Sequence, residues 1–72
     1  MLETITIEKY DVYEGIVINT TRHGAVIRLL DTKLEAFSFC SAKIGDRVLI
    51  SISKVEADRI RCRIDSFRYS AA

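Results

Sequence analysis

Backbone freedom in this 72-residue chain rests on three glycines, Gly15, Gly24 and Gly45, because proline is absent. Glycine reaches positive φ without steric cost and lets two backbones approach closely; Asn and Asp are the remaining easy turn formers. Between the glycines, apolar and polar residues alternate, and no stretch has a helical period. Val48, Ile50 and Ile52 face one way and Ser51 and Ser53 the other. Further on, Ile60, Cys62 and Ile64 share one face while Arg59, Arg61 and Arg63 share the opposite one. Short alternating runs separated by turn signals, without a helical window, predict a small all-β barrel.

The pattern predicts five strands. The first covers residues 10–18, with Gly15 marking a bulge or a sharp coil inside it. The others are expected over residues 25–30, 34–40, 47–55 and 59–67, joined by turns at 19–24, 31–33, 41–46 and 56–58. Thr4-Ile5-Thr6-Ile7-Glu8 also alternates and is the candidate for an extra N-terminal edge strand. The expected organisation is an N-terminal segment over residues 1–8, one domain over 9–69 and a tail over 70–72. Met1 and the short Ser70-Ala71-Ala72 tail suggest a complete chain.

A hydrophobic fraction of 49% is ample for one core in a domain near the lower size limit for autonomous folding. The formal net charge is +1, so no global field attracts nucleic acid, and any such binding has to come from a local patch. Cys40 and Cys62 lack the spacing of a metal knuckle or a CxxC redox pair, and are expected to be unpaired small hydrophobes in a reducing cytoplasm. The N-terminus has neither a basic region nor a long apolar stretch, so no signal peptide and no membrane partner are expected. His23 is alone, no second histidine or suitably spaced cysteine accompanies it, and a metal site or other cofactor is not expected. No nucleophile–base arrangement and no phosphate-cradling glycine loop occurs, so the chain is not read as an enzyme.

Five segments in order carry a resemblance. Glu14-Gly15-Ile16-Val17, His23-Gly24-Ala25-Val26-Ile27, Glu35-Ala36-Phe37-Ser38-Phe39-Cys40-Ser41, Ile44-Gly45-Asp46-Arg47-Val48 and Asp58-Arg59-Ile60 span nearly the whole chain. Together they resemble a shortened S-one domain, the RNA-binding OB-fold family of the large RNA-binding protein of the bacterial small ribosomal subunit. The resemblance implies an all-β, five-stranded antiparallel OB-fold barrel that binds single-stranded RNA across its second and third strands. In that family two aromatics, a histidine, an acidic residue and an arginine make the contacts. Here His23 and Val26 stand at the aromatic positions, Phe39 at the histidine, Val55 with Glu56 beside it at the acid, and Arg59 at the arginine. The family also has a long capping connection between strands three and four, where this chain has only residues 41–46. An open barrel end would expose apolar surface at about 25 cal/mol per Å². Leu2, Ile5 and Ile7 are the internal candidates to cover it; a second copy or a protein partner is the alternative.

Arg59, Arg61 and Arg63 would stand about 6.7 Å apart, from a rise of roughly 3.3 Å per residue, as a ladder for a phosphate backbone that Arg28 and Arg68 extend. Set against that is a solvated face balanced by Glu56, Asp58 and Asp65. Phe37 and Phe39 share a face, so strict alternation puts both in the core, whereas a bulge would free Phe39 for stacking. The expected function is weak, low-specificity binding of single-stranded RNA through His23, Val26, Arg28, Phe39, Arg59, Arg61 and Arg63. Two alternatives stand beside it. One is a protein-interaction or self-assembling module that has lost nucleic-acid binding. The other is a ribosome-associated factor similar to the small bacterial translation initiation factor, although the basic loop before Gly-Asp in such factors is absent here.

Overall fold

The alternating runs form strands that wrap into a closed barrel. The computed structural model describes residues 7–69. In chain order the strands are β1 (Val12–Thr21), β2 (Gly24–Leu29), β3 (Glu35–Ser38), β4 (Arg47–Val55) and β5 (Ile60–Tyr69). They close in the order β1-β2-β3-β5-β4, with β4 returning to β1. Four neighbouring pairs are antiparallel, but β3 and β5 run parallel, so the all-antiparallel expectation is corrected to a mixed barrel. The order 1-2-3-5-4 with this one parallel closure is consistent with an OB-fold. The predicted bounds of β4 hold; β1 starts and ends later than expected, and β3 is shorter. Leu2, Ile5 and most of the candidate edge strand lie outside the described residues, and Ile7 and Glu8 are not in a strand.

The interior is filled by Val17, Ala25, Ile27, Leu29, Ala36, Val48, Ile50, Ile52 and Cys62. Period two on β4 and β5 is as the sequence predicts. On β3 the parity is reversed: Ala36 and Ser38 point inward, Phe37 is half-buried and Phe39 is 58% exposed. Both phenylalanines therefore leave the core, a correction with a steric cause. Ile27, Leu29, Ile50 and Ile52 already fill the lumen, and β3 contributes only small side chains to it. The Ser38 hydroxyl is not stranded there, because it accepts a bond from the Cys40 amide at 3.2 Å and so ends the strand.

The bulge expected at Gly15 lies instead between Val17 and Asn19, where the β1–β2 register shifts. At Gly24 the constraint is contact. A Cβ there would collide with the Ser38 carbonyl oxygen and approach the Phe39 backbone, so only glycine lets the start of β2 lie against the end of β3. Gly45 has φ of 97° and sits in a turn closed by Asp46. The Asp46 amide donates to the Lys43 carbonyl at 3.0 Å, and Asp46 Oδ2 accepts from the Lys43 amide at 2.9 Å. Gly45 N donates to Val17 O at 2.8 Å and Val17 N donates to Asp46 O at 2.9 Å, which ties the short β3–β4 connection to β1. Ala42 packs on the core from that connection at one end of the barrel, and Ile7 packs on it at the other, where β3 and β5 begin, so each end is partly covered by the chain itself.

The two cysteines are unpaired but unlike each other: Cys40 is exposed outside a strand, and Cys62 is buried. Burial, with smaller contributions from Cys40 and Asp65, pushes the Cys62 thiol from its ordinary 9.0 up to about 12. Because the raised value belongs to the folded state, its contribution to stability is complete below pH 9 and falls as pH rises toward 12. Native protein at mildly alkaline pH should titrate one thiol with a disulfide reagent and release the second only in denaturant. Two fast-reacting thiols would contradict a buried Cys62.

Candidate nucleic-acid interface

With Ala25 and Ile27 facing the lumen, Val26 and Arg28 of β2 face out. In the β2–β3 register Val26 stands opposite Phe37 and Arg28 opposite Glu35, and in the parallel β3–β5 register Phe37 stands beside Arg61. One outer face thus carries an apolar residue, an aromatic and a cation on three adjacent strands. Phe39 extends it, its ring 5.0 Å from that of Phe37 at an interplanar angle of 84°. The Arg61 guanidinium lies 4.7 Å from the Phe39 ring centre, and the Arg59 guanidinium 5.8 Å from that of Phe37. Such edge-to-face and cation–π contacts each contribute about 0.5–1.5 kcal/mol, enough to hold flexible arginines in place without burying them.

A groove of about 390 Å³ runs over this face, lined by Thr21, Val26, Glu35, Phe37, Asp58 and Arg59 among others. It shares Glu35, Asp58, Arg59 and Ile60 with a larger groove of about 530 Å³, which adds Ile7, Leu34, Val55, Glu56 and Ala57 at the barrel end. The β4–β5 turn that presents Asp58 and Arg59 is closed by Glu56 N donating to Arg59 O at 2.9 Å. The β1–β2 turn presents His23, whose amide donates to Thr21 Oγ1 at 3.1 Å. Since Gly24 abuts Ser38 and Phe39, that turn is held at the Phe39 end of the face, with His23 exposed.

The structure therefore brings together Val26, Phe39, Arg59 and Arg61, with His23 beside them. Arg28 is tied to Glu35 at 3.3 Å across β2 and β3, and Arg63 pairs with Asp65 at 3.4 Å and lines a different cavity. Val55, which the S-one resemblance would align with an acidic residue, is 48% exposed in the barrel-end groove, and the neighbouring Glu56 lies 3.7 Å from Lys54. Sequence reasoning missed Phe37, Thr21 and Glu35. A serine between two phenylalanines usually marks the wet side of a strand, and no local signal announced that Ser38 is the buried one. The ring-supported arginines, Arg59 exposed and Arg61 half-buried, leave flat surfaces for a planar ligand and fixed charge for an anionic one. Among the described residues, no group of three or more His, Cys, Asp or Glu could hold a metal ion.

No protein-family model matches the sequence, and no curated protein matches it. A solved structure does match, that of the uncharacterized protein MJ1198 from Methanocaldococcus jannaschii. The TM-score is 0.63 and the identity 16%, over 83% of this chain and 92% of that one. The likeness is one of fold. It extends the barrel assignment to a second protein and leaves the chemistry of the outer face to be argued from its own residues.

Because Phe39 is exposed, Phe39→Ala should cost at most about 1.5 kcal/mol in denaturant unfolding, the worth of an aromatic edge contact. Ile50→Ala, in the filled lumen, should cost about 2–5 kcal/mol. Equal losses for the two variants would place Phe39 back in the core.

Proposed function

We propose that the barrel binds single-stranded RNA, weakly and with little base specificity, across the outer face of β2, β3 and the start of β5. The observation that carries this reading is the pairing of Phe37 with Arg59 and of Phe39 with Arg61 on the outer face, with Phe39 and Arg59 exposed and Phe37 and Arg61 half-buried. Barrels of this topology bind oligonucleotides on the face of strands two and three and at the loops joining strands one to two and four to five. Here those positions are occupied by Val26, Phe37, His23 and Arg59, in keeping with the resemblance to the S-one family. Bases stack on aromatics and on guanidinium planes whatever their identity, which accounts for low specificity. Weakness follows from the charge balance: Val26 removes one stacking platform, Arg28 is engaged by Glu35, and Glu35 and Asp58 border the groove.

Titration of a labelled single-stranded RNA at low salt should give saturable binding. Arg59→Ala combined with Arg61→Ala should weaken it about tenfold or more and flatten its salt dependence. Binding that ignores both substitutions, or no binding by the native protein, would sink the reading.

A second reading, self-association through the barrel end where β3 and β5 begin, opposite the short β3–β4 connection, is favoured by the groove of about 530 Å³ where Leu34 and Val55 are 37% and 48% exposed beside Ile7, Ala57 and Ile60. In this reading light scattering finds a dimer whose population rises with concentration and which Val55→Glu dissociates. A monomer at every concentration would eliminate it.

A further inference from the structure

The arginine ladder of β5 divides at Arg63. Arg59 and Arg61 lie over phenylalanine rings, but Arg63 lines a separate cavity of about 100 Å³ together with Lys9, Tyr10, Ser51, Ile52 and Ser53. One wall is a tight turn held against β4. Tyr10 takes φ of 75°, its amide donates to Ile52 O at 2.8 Å, and Ile52 N donates to Asp11 O at 2.8 Å. Glu8 N donates to Asp11 Oδ2 at 3.1 Å, closing the turn on itself. This anchoring fixes Lys9 and Tyr10 over Ser51 and Ser53, and Ser51 stands directly opposite Arg63 in the β4–β5 register.

The donors that remain free define the ligand. Asp65 Oδ1 lies 3.4 Å from Arg63 Nε and accepts the Ser51 hydroxyl at 3.3 Å. That leaves the terminal nitrogens of Arg63, the Lys9 ammonium (5.1 Å from the Tyr10 ring centre) and the Ser53 hydroxyl to serve the cavity. Glu8 and Asp11 of the same turn are not among the lining residues, and Asp11 Oδ2 accepts from the Glu8 amide and the Tyr13 hydroxyl. Among the groups that line the cavity or pair with its lining, two cations less one carboxylate leave a single positive charge. A phosphodiester, with its one negative charge, balances that; a phosphomonoester dianion would be left with charge uncompensated. The cavity has room for one such group and not for a stacked nucleotide.

We propose that this cavity seats one backbone phosphodiester of a single strand, two residues along β5 from Arg61, so that Arg59 and Arg61 serve the bases and Arg63 with Lys9 serves the backbone. The identity of the ligand rests on the single-strand reading of the barrel; the existence of an anion seat does not. Lys9 and Arg63 are exposed, so a Lys9→Gln, Arg63→Gln double variant should keep its fold, which circular dichroism checks. With labelled octauridylate, the double variant should bind about five- to tenfold more weakly at low salt. The slope of log affinity against log salt should shrink by about 1, whereas Phe39→Ala should weaken binding with the slope unchanged. An unchanged affinity and slope in the double variant overturns the phosphodiester seat and leaves single-strand binding standing. If the native protein does not bind octauridylate, the single-strand reading fails instead, and dimethyl phosphate, a phosphodiester monoanion without bases, decides the rest. Saturable amide shifts at Tyr10, Ser53 and Arg63 that vanish in the double variant uphold an anion seat, and their absence overturns it.

Discussion

Closing five short strands around a lumen already filled by Ile27, Leu29, Ile50 and Ile52 leaves β3 almost no interior volume. Everything distinctive about the outer face follows from that shortage. β3 can turn only Ala36 and Ser38 inward, so its aromatic residues are driven to the outside, where Phe37 and Phe39 meet edge to face. The parallel closure of β3 on β5 then sets Arg59 and Arg61 next to those rings, because a strand bearing Ile60 and Cys62 inward must carry its arginines outward. The face therefore results from filling the core. Exposing Phe39 forgoes burial worth about 1.5–3 kcal/mol, and the ring contacts around it recover part of that.

A second consequence concerns the short connection between β3 and β4. It cannot form a separate cap, so it closes on itself through Lys43 and Asp46 and is stitched to β1 by paired backbone bonds with Val17. Gly45 is the residue that permits this, since the turn requires φ of 97°. The closer approach at Gly24 performs the equivalent task on the other side, pressing β2 against the end of β3. The glycine and aspartate of a loop thus replace a longer segment with a few directional hydrogen bonds.

The division of the chain into strands was legible in the sequence because period two is a local property: each strand of the final hairpin reveals its inward face without reference to its neighbours. What was not legible depended on non-local volume. Nothing local to residues 35–39 says that the lumen is already full, and a serine satisfied by the Cys40 amide reads in sequence as a surface residue. The parallel pairing of β3 with β5 is likewise a property of closure rather than of either strand. The arginine face itself was visible in advance. Its partition was not, because the ring contacts of Arg59 and Arg61 depend on the outward parity of β3, and the separate cavity at Arg63 depends on where the turn over residues 8–11 folds back onto β4.

That partition bears on how a nearly neutral protein could attract an anionic polymer. With a net charge of +1, long-range steering is slight, and local fields within a Debye length of about 8 Å dominate at physiological salt. On the outer face four strand cations have an acid close by: Arg28 with Glu35, Arg63 with Asp65, Arg47 with Glu14, Lys54 with Glu56. Exposed pairs of this kind are worth about 0–1 kcal/mol each, so they do not lock the arginines away. They do cancel the field beyond a few ångströms. Arg59 and Arg61 are set against aromatic rings instead, and a ring carries no net charge of its own, so the offset to Arg59 comes from Glu35 and Asp58 along the groove and not from the ring that holds it. A ligand would feel the guanidinium charge only on contact, together with the ring that presents it. Contact-range charge on a π-surface favours a flexible strand that can place base and backbone together over a rigid duplex drawn in from a distance.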